Sequence, residues 1–335
     1  MQFINGYKVH SYGQDLSHLV GTTHSNIRDD KFGEIFQQID NLTQPYLIIG
    51  TGEEPTDRKR IQIVYDYAVK YKNFKKIAAC TCNFESDWEI KHFFSPKWMT
   101  PLSYGMQLFE EISCQKTKLF HLINRVPRKH RIMTFLEVRK RGLENKGLIS
   151  FTGGVDFARE NLDVKKYIPD YPIFLDEGKI PDKFTIKPHA FIGNPVYFIT
   201  RHALVGLICE TSYSSLWHPT HWKELFISEK TFSCFSLLQI PIVVGLPGTV
   251  KWLRDHNFDM FDDIVDHSYD NELDPEIRYI KAVDQLDKLR HINPQALFDA
   301  NVSRFEYNKH NHISLYEHYR KKQELEFREW AELQN

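Results

Sequence analysis

Short apolar segments that suit buried strands alternate along this chain with segments of helical periodicity. The first clear strand is predicted at 46–49, where Tyr-Leu-Ile-Ile runs into a glycine-containing loop, and a helix is predicted at 58–70. Because parallel strands need a long crossover, which is usually a helix, this alternation favours parallel sheets covered by helices. We therefore expect an α/β protein built from two αβα domains that face each other across a cleft.

A polar stretch at 115–118 separates two series of such elements and marks the predicted domain boundary. Residues 1–116 form the predicted N-terminal domain and residues 117–312 the second domain, and 335 residues suffice to give each its own core. The segment 313–335 is predicted to be a C-terminal helix that packs back on the N-terminal domain or joins subunits. The predicted strands of the second domain lie at 119–124, 148–151, 196–199, 203–208 and 240–244.

The composition argues against several classes of protein. The 43 Lys and Arg residues nearly balance the 44 Asp and Glu residues, so no overall charge indicates a polyanionic partner. No apolar run approaches the ~20 residues that a membrane span needs, and no secretion signal follows Met1. The five cysteines are scattered and lie mostly in apolar runs, as reduced buried thiols do. We therefore expect a cytoplasmic protein without a membrane span.

A short helix is predicted to begin after Ser228, with Glu229 and Lys230 in its first turn. Unpaired N–H groups and the positive end of the helix dipole make such a start a suitable seat for phosphate. Lys230 would then contact a diphosphate, and Glu229 would accept hydrogen bonds from a ribose. A solvated first turn is the alternative, since an acidic residue is favoured there anyway. The pattern indicates a nucleotide, and in particular a nucleotide-sugar.

Arg131 ends a basic cluster, 124–131, between a predicted strand and a predicted helix. Its planar guanidinium suits bidentate contact with phosphate. A solvated basic turn is an equally good interpretation for its neighbours Arg125, Arg128 and Lys129. The longer basic stretch 116–141 is where nucleic acid would bind if the chain has that partner.

Glu53 lies in the polar loop 51–55 that follows the first predicted strand. A carboxylate held in such a loop can act as a general base on an acceptor hydroxyl, and a polar surface turn is the alternative. The acidic segment 259–266 could bind a cation, and His218 with His221 could do the same, but plain loops explain both better. The sequence therefore predicts no metal site.

Three segments and one arginine have counterparts in a known family. Residues 226–230, followed by 240–245, are similar to a Tyr-(Val/Ile)-Thr-Glu-Lys pattern with an apolar Pro-containing strand and a glycine. Residues 209–212 are similar to a Phe-Glu-Asn-Ser strand end, and 51–53 to a Thr-Gly-Glu loop. Arg131 is similar in position to an arginine that opens a helix. Together, and in their order along the chain, they resemble the α1,3-fucosyltransferase family, whose GT-B fold has two Rossmann-like domains.

This resemblance implies an inverting, metal-independent glycosyltransferase. It would move a sugar from a nucleotide-sugar co-substrate, with a GDP-linked sugar favoured, to a hydroxyl of a glycan acceptor. Glu53 would be the general base, and Glu229 would bind the ribose. Arg131 and Lys230 would hold the diphosphate.

Glu210, Thr211 and Phe226 would complete the donor site by the same resemblance. The chain departs from the family pattern at two of them, because Thr211 replaces an asparagine and Phe226 replaces an aromatic residue with a hydroxyl. These positions lie where base and sugar are recognised, so the donor sugar stays open. Two other functions also stay open: sugar transfer to modified nucleic-acid bases, and a non-catalytic nucleotide- or glycan-binding module.

Overall fold

A computed structural model describes most of the chain, namely residues 2–4, 8–11, 14–15, 20–24, 32–50, 58–81, 90–94, 96–99, 115–151, 163–173, 199–214 and 225–331. The chain divides into two compact units. The first comprises Met1–Trp98, His218–Phe226 and Leu315–Asn335, and the second comprises Met99–Trp217 and Ile227–Ser314. The division near residue 98 precedes the predicted boundary at 116. Met99 belongs with the second unit, where its main-chain oxygen lies 2.6 Å from Nε2 of His312.

The first unit contains a four-stranded parallel sheet whose order follows the chain, β4-β5-β6-β7, and a small antiparallel sheet, β1-β2-β3. The strands are β1 (Gln2–Ile4), β2 (Lys8–Ser11), β3 (Gln14–Asp15), β4 (Val20–His24), β5 (Tyr46–Gly50), β6 (Lys76–Thr81) and β7 (His92–Phe94). Helix α1 (Phe32–Asp40) lies between β4 and β5, and α2 (Arg58–Tyr71) lies between β5 and β6.

Alternate residues of β5 belong to different apolar clusters, as expected for a strand buried on both faces. Leu47 and Ile49 pack with residues of α1 and α2. Tyr46 and Ile48 pack with Phe327 and Trp330 near the C-terminus. Helices therefore cover both faces of this sheet, which is the αβα layering expected of a parallel sheet.

The second unit is built on a four-stranded parallel sheet of β8 (Lys118–Asn124), β9 (Gly147–Phe151), β10 (Ala203–Cys209) and β11 (Ile240–Val244). Its helices, together with the long terminal helix, are α3 (Lys129–Lys140), α4 (Val164–Tyr167), α5 (Glu229–Ser236), α6 (Thr249–Asp255), α7 (Pro275–Lys288), α8 (Pro294–Asp299) and α9 (Val302–Trp330). Short 3-10 turns occupy Pro96–Met99, Glu144–Lys146 and His267–Asn271.

The strand order of the second sheet is β11-β10-β8-β9, so the chain changes direction between β8 and β10. From β8 it proceeds outward to β9, and it then returns to the other side of β8 to form β10 and β11. In open parallel sheets, ligands bind outside the carboxyl ends of the strands at such a switch point. The expectation of an α/β fold with parallel sheets is confirmed, and the order of the second sheet places a candidate crevice after Asn124 and Cys209.

Gly206 allows α5 to lie close against β10. An added Cβ at Gly206 would lie 2.2 Å from Sγ of Cys234 and 3.1 Å from Nε2 of His121. We therefore expect Gly206→Ala to lower the free energy of unfolding by about 1–3 kcal/mol, the usual effect of overpacking a core. Urea unfolding followed by circular dichroism measures it.

Gly33 in α1 provides the matched control, because an added Cβ there meets no atom within 4 Å. Gly33→Ala should be neutral or stabilising by up to about 1 kcal/mol, since alanine favours helix. Gly206→Ala combined with Cys234→Ala should be less destabilising than the two single effects added together. Equal effects of the two glycine substitutions would contradict the close approach of α5 to β10.

Candidate functional site

Glu210 follows β10 directly and its side chain is fully buried. Its Oε1 accepts hydrogen bonds from N of Ser228 at 3.0 Å and from Oγ1 of Thr231 at 2.6 Å, and its Oε2 accepts one from N of Thr211 at 3.2 Å. Its own N–H donates to the Val244 carbonyl at 3.0 Å. The carboxylate therefore ties the loop after β10 to the start of α5, and the main-chain N–H of the same residue joins that loop to the end of β11. A buried carboxylate that accepts several N–H and O–H bonds is well compensated.

The start of α5 presents a lysine beside an acid. Ser228 caps the helix, with Oγ 3.4 Å from N of Lys230. The Nζ of Lys230 lies 3.1 Å from Oγ of Ser228, 3.4 Å from Oγ1 of Thr211 and 3.3 Å from Oε1 of Glu229. The side chains of Lys230 and Glu229 are 26% and 19% exposed, so solvent can reach both. The ammonium thus lies between the helix start and the loop after β10.

The start of α3 supplies further cationic groups at the same edge of the sheet. Arg128 is buried, and its guanidinium donates to the Thr211 carbonyl at 2.7 Å. Nε2 of the buried His130 lies 2.8 Å from the Glu210 carbonyl. Arg131 is also buried and donates to the carbonyls of Val126 at 3.0 Å and Glu210 at 3.5 Å. The loops after β8 and β10 are therefore held together by this helix start.

The start of α3 differs from the start of α6, the helix that follows β11. There the buried carboxylate of Asp270 accepts hydrogen bonds from N of Val250 at 3.0 Å and N of Lys251 at 3.1 Å. Burial raises the pKa of Asp270 above its ordinary value. By contrast, Arg128 gives α3 no side-chain cap, and the first turn of α3 contains no acidic residue. A protein anion already occupies the start of α6, whereas basic side chains surround the start of α3.

The structure brings five of the predicted site residues to one edge of the second sheet: Arg131, Glu210, Thr211, Glu229 and Lys230. Phe226 is buried and groups with the first unit. Glu53 and its loop 51–55 lie outside the described residues. The predicted contact of each of these side chains with a donor stays a prediction, although the carboxylate of Glu210 is already engaged by its own loop and α5.

Sequence reasoning missed the contributions of Arg128 and Thr231. Arg128 was equally consistent with a solvated turn, and its burial follows from the packing of α3 against β10. The position of Thr231 gave a local signal for a role in the site, because it lies three residues after the cap Ser228, in the first turn of α5. Its bond to Glu210, however, joins positions 21 apart in sequence.

The basic stretch 116–141 does not form a continuous exposed groove among the described residues. Lys116 is buried and donates to the carbonyls of Arg201 and Leu237 at 2.8 and 2.9 Å. Arg139 pairs with Asp170 and Glu144, and Arg141 pairs with Glu137 and Asp284. Arg139 and Arg141 are thus paired with acids and Lys116 is buried, so these residues lend no support to a nucleic-acid interface.

The acidic segment 259–266 is likewise engaged by protein groups. Asp259 and Asp263 both bind the guanidinium of Arg304, which lowers the pKa of each carboxyl. Asp262 pairs with Arg254, and Asp266 accepts from N of Ser268. In the described part of the chain, no group of three or more His, Cys, Asp or Glu side chains is arranged to hold a metal. His218 and His221 lie outside it.

The described residues define a mixed α/β protein with a polar, cation-rich site at the switch point of a parallel sheet. Within them, no helix combines the length and the apolar character that crossing a membrane requires. Comparisons of the chain with protein-family models, with curated proteins and with solved structures found no match.

Proposed function

We propose that the chain is an inverting, metal-independent glycosyltransferase of GT-B fold that binds a nucleotide-sugar in its second unit. The observation that carries the proposal is the convergence of two helix starts, α3 and α5, on the switch point between β8 and β10. The favoured donor is a GDP-linked sugar, and the acceptor is a hydroxyl of a glycan. The proposal includes a cytoplasmic location.

The electrostatics of α3 support an anionic ligand. Arg128, Lys129, His130 and Arg131 form its cap and first turn, where the positive end of the helix dipole disfavours cations. Natural sequences break such local preferences mainly at functional sites. A diphosphate beside these groups would relieve the repulsion and accept hydrogen bonds from main-chain N–H groups.

The start of α5 supplies the groups that a sugar transfer needs from the donor side. Lys230 would bind the diphosphate and stabilise the charge that develops on it when the sugar leaves. Glu229, 19% exposed, would accept hydrogen bonds from the ribose hydroxyls. Glu210 would act by holding Ser228 and Thr231, and therefore the helix start, in place.

The remaining roles come from the first unit and from the resemblance to fucosyltransferases. Glu53 would take the proton of the acceptor hydroxyl in a single displacement at the anomeric carbon. Phe226 and Thr211 would line the donor site, and their departure from the family pattern leaves the sugar open. Arg131 would hold the diphosphate, with part of its guanidinium already bonded to main-chain carbonyls.

Lys230→Ala tests the donor site. We expect the dissociation constant for GDP to rise about 10- to 100-fold, because one charge-assisted contact with a phosphate is lost. Isothermal titration calorimetry measures the change. Lys140→Ala is the matched control, since the Lys140 side chain is 75% exposed on α3 and should leave the affinity unchanged. Equal affinities of Lys230→Ala and the unaltered chain would remove Lys230 from the proposed site.

Glu53→Ala tests the transfer step separately. We expect donor affinity within about twofold of the unaltered chain, but transfer reduced by about 10²-fold or more, because general bases typically contribute this much. Release of nucleoside diphosphate in the presence of a glycan acceptor gives the rate. A variant that remains fully active would show that Glu53 is not the base.

A further inference from the structure

The aromatic ring of Tyr213, close to Glu210 and Thr211 in the chain, packs against two polar or cationic side chains. The ring is fully buried. The imidazole of His130 stacks on it with centroids 4.7 Å apart and planes inclined by 16°, and the guanidinium carbon of Arg278 lies 4.4 Å from its centroid. Tyr213 thus joins the start of α3 to α7.

Arg278 lies on α7, whereas the candidate site is formed by the starts of α3 and α5. It is 1% exposed and lies one turn into α7. Its two terminal nitrogens donate to the carbonyls of Tyr213 at 2.5 Å and Glu272 at 2.6 Å. The Tyr213 hydroxyl in turn donates to the Pro275 carbonyl. The guanidinium therefore fixes both the ring and the main chain of Tyr213 to the start of α7.

The contacts of Arg278 are unusual for a buried charge. Among the described residues, no carboxylate lies within ion-pair distance of it, and main-chain oxygens and an aromatic face serve as its partners instead. A buried charge of this kind contributes little net stability compared with a well-packed apolar side chain. Its guanidinium instead restricts the position of the loop, because a planar group bonded to two carbonyls holds them at a fixed separation.

The loop that Arg278 holds carries the groups that organise the site. Three residues before Tyr213, the Glu210 carboxylate binds Ser228 and Thr231 of the α5 start. Two residues before it, Thr211 contacts Nζ of Lys230 and its carbonyl accepts from Arg128. His130, which stacks on the ring, lies 2.8 Å from the Glu210 carbonyl. A displacement of Tyr213 would therefore move the groups that contact Arg128 at the start of α3 and Lys230 at the start of α5.

We propose that Arg278 is a positioning residue that sets the geometry of the nucleotide-diphosphate site through Tyr213 without touching the ligand, an inference that rests on the proposed function. The guanidinium holds the loop 210–213 against α7. That loop then sets the distance between the start of α3, with Arg128, and the start of α5, with Lys230.

Arg278→Met tests this role, because methionine keeps the length and much of the volume of the side chain but loses both hydrogen bonds. We expect its dissociation constant for GDP to rise at least tenfold. We also expect amide hydrogen exchange at 211–214, measured without ligand, to accelerate at least tenfold while exchange in β8 stays unchanged. Arg290→Met is the control: near the other end of α7 it removes a bond to the Arg141 carbonyl and a pair with Asp287, and it should alter neither readout.

Arg278→Lys keeps one donor and should restore part of the affinity, and it replaces Arg278→Met if the latter does not fold. GDP affinity within twofold of the unaltered chain, with unchanged exchange at 211–214, would overturn the proposal. Faster exchange spread evenly over the second unit would also overturn it, since that result indicates general destabilisation. If the unaltered chain binds none of GDP, UDP and TDP, the proposed function fails by itself, and exchange at 211–214 then decides whether Arg278 positions the loop.

Discussion

Replacement of Glu210 by alanine is expected to lower the free energy of unfolding by about 3–5 kcal/mol, because it leaves several buried donors without an acceptor. The N–H groups of Thr211 and Ser228 and the hydroxyl of Thr231 all bond to its carboxylate. Each unsatisfied buried donor costs about 1–3 kcal/mol, and water entering the space left by the carboxylate offsets part of the sum. Urea unfolding measures the loss.

Glu210→Gln sharpens the experiment. The amide keeps one acceptor oxygen but places an NH₂ group against a donor. We therefore expect Glu210→Gln to lower the free energy of unfolding, but by less than Glu210→Ala. Glu276→Ala is the control, because that side chain is 60% exposed on α7 and its removal should change stability by about 0.5 kcal/mol or less. A Glu210→Ala variant as stable as the unaltered chain would contradict the organising role of this carboxylate.

Stability of the second unit is expected to fall steeply as the pH drops from about 6.5 to about 4. Burial lowers the pKa of His121, His267 and His312 to about 4 in each case. In this range the unfolded chain binds protons at these histidines while the folded chain does not, so protonation favours unfolding. Each histidine contributes up to about 1.4 kcal/mol per pH unit, and the contribution is fully present only above the unfolded pKa of about 6.5.

Thermal unfolding at a series of pH values measures this slope. Asp270 opposes it in the lower part of the range, because burial raises its pKa and its carboxyl takes up a proton first in the folded state. His267→Gln should make the slope shallower, since it removes one of the histidine contributions. The exposed His291 serves as the control, and His291→Gln should leave the slope unaltered. A free energy of unfolding that increases as the pH is lowered from 6.5 to 4 would contradict the burial of neutral histidines.

The strands of the second unit could be predicted closely from the sequence. The run 240–244 matches β11, and 119–124 and 203–208 each differ from β8 and β10 by one residue. Continuous apolar runs bounded by polar residues leave little choice for a strand buried on both faces. Predictions were poorer where apolar content is low: β4, α6 and the start of α7 at Pro275, behind an Asp274 cap, were missed. All but the last residue of the predicted strand 196–199 lies outside the described residues, and Ile199 is helical.

The candidate site was predictable where its chemistry is local. The cap Ser228 with Glu229 and Lys230 occupies consecutive residues, and the helix start lies where the sequence indicates it. The engagement of Glu210 by α5 was not predictable, because the bonds join β10 to residues 18 and 21 positions later. The same holds for Arg125 and Arg128, which look alike in sequence, although only Arg128 is buried in the structure.

The central claim is that the second unit binds a nucleotide-sugar at its switch point, and calorimetric titration of the full chain tests it most directly. The titrants are GDP, UDP and TDP and their sugar conjugates, with inorganic phosphate as the control. We expect one sugar nucleotide to bind with a stoichiometry of one and to raise the temperature of unfolding, because only the native state binds it. Absence of binding for every nucleotide, or binding of inorganic phosphate alone, would contradict the proposed function.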